Sequence, residues 1–127
     1  LEDLDLYDDV LNVGLEFDVG VAGRRLTGQQ RQKLDIARAL LKRSDYLILN
    51  RPLSSLEQRV QDQILRNVLE EARREEHRPA ILWVLSNPAM ANCFDRVLVF
   101  DEGTLHGDGT HETLSTQNGI FTGLLSQ

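Results

Sequence analysis

Three short apolar runs constrain most what this chain can fold into: residues 46–49, Tyr-Leu-Ile-Leu; residues 80–85, Ala-Ile-Leu-Trp-Val-Leu; and residues 97–100, Val-Leu-Val-Phe, after Arg96. Each is too short for a stable helix, and the first is bounded by polar residues. Near-continuous apolar runs of this length predict strands covered on both faces. Between the first two runs, Val60, Ile64, Val68, Leu69 and Ala72 recur at helical spacing, which predicts an amphipathic helix over about residues 56–76. Ahead of the first run, Leu34, Ala37, Leu40 and Leu41 share one face of an earlier helix. Its start is marked by Thr27, a good N-cap, with Gln30 three positions on to complete a capping box. Strands alternating with helices predict an α/β layer with a mostly parallel sheet.

The flanks are less regular. Leu4, Leu6, Val10 and Leu11 form a weak helical stripe, and Gly14 and residues 20–23, Gly-Val-Ala-Gly, mark loops. Asp101, Glu102 and Gly103 predict a turn into a short strand near residues 104–107. Short helices follow near residues 112–115 and 120–125. There is no internal repeat and no low-complexity tract.

Charge is uneven. The net charge is −6, and residues 1–23 carry Glu2, Asp3, Asp5, Asp8, Asp9, Glu16 and Asp18 with no Lys or Arg. The plain reading is a solvated acidic helix face; the sharper one is a docking edge for a basic partner. A broad nucleic-acid-binding surface is disfavoured by this balance. No run of eighteen apolar residues occurs in the 127, and the acidic start lacks the apolar core of a signal peptide. A start without Met fits an excerpt of something longer. Cys93 is the only cysteine, which excludes an internal disulfide framework and a cysteine zinc site and fits a reducing setting.

Residues 26–41 carry the chemistry. A turn of Leu26, Thr27, Gly28, Gln29 and Gln30 opens onto a basic, alanine-containing helix. Unpaired N–H groups at a helix start suit an anion. The segment resembles the signature sequence of ABC-type ATPases, the nucleotide-binding domains that power membrane transporters. The family form is Leu-Ser-Gly-Gly-Gln; here Thr27 replaces the Ser and Gln29 replaces the second Gly. The resemblance implies that this turn caps the γ-phosphate of ATP bound by the opposite domain of a dimer, through Thr27, Gly28 and Gln30. Gln29 either crowds that phosphate or hydrogen-bonds it. Without the resemblance, the turn is an ordinary capped helix.

Other motifs follow in family order. After the first apolar run, the family has an Asp and a Glu, which hold Mg²⁺ and orient the attacking water. Here Asn50 and Arg51 stand in those places. An amide is a poorer partner for a hard cation, and a guanidinium cannot serve as a base. Arg51 can instead neutralise phosphate charge, or it is simply a solvated residue at a strand end. Leu53, Ser54, Ser55, Leu56 and Glu57 resemble the family's Ser-Ala-Leu-Asp loop, which crosses the dimer interface; equally, Ser55 can serve as a helix cap. The position of the family's γ-phosphate-sensing His falls on Ser86, nine before Asp95. His77, His106 and His111 lie elsewhere, as surface or loop residues. Residues 18–23 resemble the exporter loop that precedes the signature, with Val21 for its usual Glu. Residues 109–114, Gly-Thr-His-Glu-Thr-Leu, resemble an ending common in exporter-type domains. No Gly-x-x-x-x-Gly-Lys-Ser/Thr phosphate loop occurs in the sequence.

The resemblance covers essentially the whole chain and corresponds to the C-terminal half of the family's domain. It implies a partial three-layer P-loop NTPase fold, with a signature region over about residues 1–44 and a core region over about residues 45–127. The phosphate-loop strand would lie between the runs at 80–85 and 96–100, so a break in the sheet is expected there. The implied cofactors are ATP and Mg²⁺ in the complete assembly, with none bound by this chain alone and no metal ligands of its own. The implied partners are a second ABC ATPase domain, identical or different, a transporter's transmembrane domain, and the N-terminal half of this domain. The implied place is the cytoplasmic face of the membrane. With Asn50, Arg51 and Ser86 at three catalytic positions, the chain's own site is expected to be inactive or weakened, while its turn can still serve a competent partner. The alternative is a pseudo-ATPase used as a regulatory or scaffold module without transport turnover. A soluble ABC ATPase outside transport is disfavoured by the exporter-like segments on both sides of the signature.

Overall fold

A computed structural model describes Leu4, Glu16 and residues 18–127. The expected stripe of Leu6, Val10 and Leu11 lies outside the described residues. The chain divides into two compact units, Leu1–Val84 and Leu85–Gln127.

In the first unit a short 3₁₀ turn, Val21–Gly23, leads to α1 (Gly28–Leu41), β1 (Tyr46–Asn50), α2 (Gln58–Arg74) and β2 (Ala80–Val84). Helix α1 starts where the sequence places it, at the Thr27 cap. It stops at Arg43, whose φ of 49° is left-handed. The Arg43 N–H donates to the Leu40 carbonyl at 3.2 Å, so this residue occupies a place usually taken by glycine. Helix α2 buries Ile64, Leu65, Val68, Leu69 and Ala72 along one face, as its spacing predicts. Its exposed end carries Arg74 within 4.0 Å of Glu70 and 3.7 Å of Glu71, pairs worth little in open solvent. The link from α2 to β2 is tied back to the link before β1. His77 Nε2 lies 2.8 Å from an Asp45 carboxylate oxygen, and the Ala80 N–H donates to the Asp45 carbonyl at 2.8 Å.

The core of this unit is set by Ile36 on α1, Leu53 in the loop after β1, and Ile64 and Val68 on α2, each only 1% exposed. Leu4 and Leu56 join them, with Ala37, Leu40, Val60 and Trp83 packed around. Burying side chains of this size stabilises the fold by roughly 1.5–3 kcal/mol each before entropy is counted.

Strands β1 and β2 pair in parallel, with Tyr46 opposite Ala80, Ile48 opposite Leu82 and Asn50 opposite Val84. A crossover through α2 joins them, as a parallel pair requires. The expectation of strands buried on both faces is corrected here. Leu47 and Leu49 are buried, but Tyr46, Ile48, Leu82 and Val84 are 42–77% exposed. All four lie on one face, because side chains alternate along a strand. Both faces are apolar in sequence, yet only one is covered among the described residues.

In the second unit a 3₁₀ segment (Pro88–Cys93) precedes β3 (Val97–Asp101), β4 (Thr104–Gly109), α3 (His111–Gln117) and α4 (Gly119–Leu125). β3 and β4 form an antiparallel hairpin. Its turn has Glu102 at φ 46° and Gly103 at φ 76°, the signs that match the twist of a two-residue hairpin. The strands therefore fall into two separate sheets, β1 with β2 and β3 with β4. Among the described residues β2 does not pair with β3, in keeping with the break in the sheet expected between those runs. The second core joins Ala91, Val97, Val99, Leu114 and Phe121. On the open side of the hairpin, Arg96 donates twice to the Asp108 carboxylate, both at 2.7 Å. Those hydrogen bonds hold the Asp108 carboxyl below its usual range. Its contribution to stability is therefore full above the ordinary carboxylate pKa and lost as pH falls through the lowered one.

Asn118 closes this unit. Its side-chain oxygen accepts the Phe121 N–H at 2.9 Å, and its amide donates to the His106 carbonyl at 2.8 Å. That amide lies 2.6 Å from where a Cβ on Gly107 would stand, and Leu114 and Val99 crowd the same spot at 3.2 and 3.3 Å. Gly107→Ala is therefore expected to destabilise the fold by about 1–3 kcal/mol, read by chemical denaturation. Arg43→Gly is expected to do the opposite, by about 1 kcal/mol in the same measurement, because it removes a left-handed Cβ.

Candidate functional site

The candidate site is built on the start of α1. Thr27 is extended, with φ −66° and ψ 162°. Its hydroxyl oxygen accepts the Gln30 N–H at 3.1 Å, while the Gln30 side-chain oxygen accepts the Thr27 N–H at 3.0 Å. Both halves of the predicted capping box are thus made. The Arg31 N–H is the first to bond within the helix, to the Thr27 carbonyl at 3.0 Å. The N–H groups of Gly28 and Gln29 are left without a partner among the described residues. Thr27, Gly28 and Gln29 are exposed, and Gln30 is half-buried with its amide turned back to the cap. The turn therefore offers two main-chain donors and a hydroxyl to solvent, at the positive end of a 14-residue helix.

The turn is fixed from behind by Gly23. Its φ of 68° is left-handed, and the Arg31 stem would lie 3.1 Å from a Cβ placed there. A side chain at Gly23 would strain the backbone and push Arg31 away.

The loop after β1 comes directly beside the turn. Leu53 and Leu56 are buried, and the Leu56 N–H donates to the Leu53 carbonyl at 3.0 Å, so Ser54 and Ser55 project between two anchors. Glu57, exposed, is the N-cap of α2 and makes no side-chain cap bond. The alternative of Ser55 as helix cap is corrected: the helix begins at Gln58, and the Ser55 N–H donates to the Gln32 side-chain oxygen at 2.9 Å. Gln32 also donates to the Ser54 hydroxyl at 3.1 Å, and Gln29 donates to the Ser55 carbonyl at 3.4 Å. Gln29 thus leans toward the loop. Gln32 was not singled out from sequence. Its only signal there is that it lies one turn beyond Gln29 on the same side of the helix.

Asn50 and Arg51 sit at the C-terminal end of β1, both exposed. Arg51 has a φ of 43°, left-handed for a residue with a Cβ, and its N–H donates to the Val84 carbonyl at 3.3 Å. An Mg²⁺ ion wants carboxylate oxygens, and this strand end offers an amide and a guanidinium. No cluster of three His, Cys, Asp or Glu side chains occurs among the described residues. These residues do not fit a metal. Ser86, in the second unit, is exposed two residues beyond β2. Of the three histidines, His77 and His106 are exposed, in a loop and on β4. His111 begins α3 and meets the Phe121 ring edge-on, with centroids 5.6 Å apart.

No family model matches the chain. It is 38% identical over 113 residues to an ATP-dependent lipid A-core flippase of Xylella fastidiosa, a match covering 89% of this chain and 18% of that protein. It is 32% identical over 120 residues to the Lactococcus lactis protein LagD, named for lactococcin-G processing and transport and for ATP binding, covering 94% of this chain and 15% of LagD. Among solved structures it matches a bacterial Atm1-family ABC exporter with ATP bound, with a TM-score of 0.78 and 26% identity over 98% of this chain and 22% of that one. The chain belongs to the ATP-binding part of the ABC exporter family. It spans less than a fifth of the length of the curated relatives named here. The mixed α/β architecture is the one that this exporter region adopts. No helix among the described residues is long and apolar enough to cross a membrane.

The cap itself can be tested separately from any nucleotide. Thr27→Ala removes the hydroxyl that receives the Gln30 N–H and is expected to cost about 1 kcal/mol in a denaturation experiment. Thr27→Ser, which keeps the oxygen, is expected to cost much less.

Proposed function

We propose that this chain lends its Thr27–Gln30 turn to ATP held by a second ATPase domain, while its own strand-end site is catalytically weakened. The turn would cap the terminal phosphate through the Gly28 and Gln29 N–H groups and the Thr27 hydroxyl. Glycine at position 28 lets a phosphate approach the main chain closely. The observation that carries this reading is the exposed pair of N–H groups, without a partner among the described residues, at the start of a firmly capped helix. The weakened site is read from the strand end. Neither Asn50 nor Arg51 can take a proton from water at neutral pH, and Ser86 lacks the reach and titration of an imidazole.

The whole protein, in this reading, is an exporter in which ATP and Mg²⁺ act in the complete assembly. Its partners are a second ATPase domain, a transmembrane domain at the cytoplasmic face and the remaining half of this domain. Arg51, with a guanidinium that suits phosphate oxygens, holds nucleotide phosphate at this chain's own site more readily than it promotes cleavage.

The test uses the full-length protein in its assembly. Gly28→Asp places a carboxylate where the phosphate would sit and is expected to cut ATP turnover by about 100-fold, the scale seen when one transition-state donor is lost. Turnover that ignores Gly28→Asp would overturn the contributed turn. An assembly that binds ATP yet neither turns over nor transports would favour the scaffold alternative. Arg51→Glu is expected to weaken nucleotide binding at this chain's own site in a direct binding assay; unchanged affinity and unchanged turnover would remove Arg51 from the account.

A further inference from the structure

Gln29 and Gln32 stand one helical turn apart on α1 and both address the Ser54–Ser55 loop. Between them they hold both main-chain polar groups of one residue, Ser55. The Ser55 N–H donates to the Gln32 oxygen at 2.9 Å, and the Ser55 carbonyl accepts from the Gln29 amide at 3.4 Å. Gln32 adds a second bond by donating to the Ser54 hydroxyl at 3.1 Å. The partners lie 22 to 26 residues apart in sequence, so these are tertiary contacts rather than turn geometry.

The loop has little else to hold its tip. Leu53 and Leu56 are sunk in the core, and the two serines between them are exposed. No strand ladder reaches them, since β1 ends at Asn50 and α2 begins at Gln58. The Ser55 hydroxyl, meanwhile, lies 3.9 Å from where a Cβ on Gly28 would stand, so the loop tip forms one wall of the turn. Helix α1 is rigid over the single turn that separates Gly28 from Gln32. A shift of the turn is therefore carried to Gln32, and from Gln32 to the main chain of Ser55.

We infer that Gln32 is a positioning residue that couples the phosphate-capping turn to the Ser54–Ser55 loop, so that an anion ordering the turn orders the loop with it. The inference rests on the reading of the turn as a phosphate cap. Gln32 touches no nucleotide. It acts through the Ser55 N–H and the Ser54 hydroxyl, with Gln29 as the weaker second arm. Gln32→Leu keeps a side chain of comparable bulk while removing both bonds. Gln32→Glu keeps an acceptor for the Ser55 N–H and can accept from the Ser54 hydroxyl in place of donating to it.

Hydrogen exchange by mass spectrometry on the full-length protein tests this, with and without adenylyl-imidodiphosphate and Mg²⁺. In the unaltered protein the nucleotide is expected to slow exchange in the peptides covering residues 26–33 and 53–58 together, each by about tenfold, the worth of one such hydrogen bond. In Gln32→Leu the turn peptide is expected to keep its protection and the loop peptide to lose it, with Gln32→Glu restoring the loop. Loop protection undiminished in Gln32→Leu would overturn the coupling while leaving the phosphate cap standing. Absence of protection at the turn in the unaltered protein would overturn the cap reading itself. Should Gln32→Leu not accumulate, Ser54→Ala removes one of the two bonds from the exposed side. Reduced loop protection with the turn still protected would then support the coupling, and protection of both as in the unaltered protein would overturn it.

Discussion

The burial of Ile36, Leu53, Ile64 and Val68 against one another is the constraint on which the candidate site depends. These four side chains come from α1, the loop after β1, and α2, and each is almost wholly out of water. Their packing fixes where the start of α1 lies relative to that loop. Once the loop is pinned at Leu53 and Leu56, Ser54 and Ser55 have no choice but to project beside Gly28, and the two glutamines of α1 find them. The polar contacts add geometry to an arrangement whose energy is mainly apolar, since a net hydrogen bond contributes about 1 kcal/mol and a buried aliphatic side chain more.

The same division explains the two characters of the site. The turn keeps the features an anion needs: a firm cap made by Thr27 and Gln30, a glycine, and N–H groups that the helix cannot use. The strand end offers an amide at Asn50 and a guanidinium at Arg51, and no carboxylate. Arg51 sits in a left-handed conformation that costs a residue with a Cβ about 1–2 kcal/mol. The role proposed for the turn is supported by likeness to ABC exporters over most of the chain, since many helices begin with a capping box.

Much of the local structure is legible residue by residue. Thr27 and Gln30 announce the start of α1, the 3.6-residue spacing of Ile64, Val68 and Ala72 announces the buried face of α2, and the hairpin turn is written in Glu102 and Gly103. Boundaries drift where no side chain marks them. α2 begins at Gln58 rather than near Leu56 because Leu56 is drawn into the core as a loop anchor. The open face of β1 and β2 was not legible, since Ile48 and Leu82 look like interior residues in sequence and nothing local says which apolar face is covered. Gln32 was not legible either, for its partners are more than twenty residues away.

By itself the sequence determined the order of elements, the capped turn and the family, because these depend on local pattern and residue identity. Only the tertiary structure decided that Gln29 turns toward the Ser55 carbonyl, that Ser55 is held by Gln32 instead of capping a helix, and that one face of the parallel pair stays open among the described residues. Those outcomes depend on which distant groups the packed core brings within hydrogen-bonding or van der Waals reach, and short-range periodicity carries no record of that.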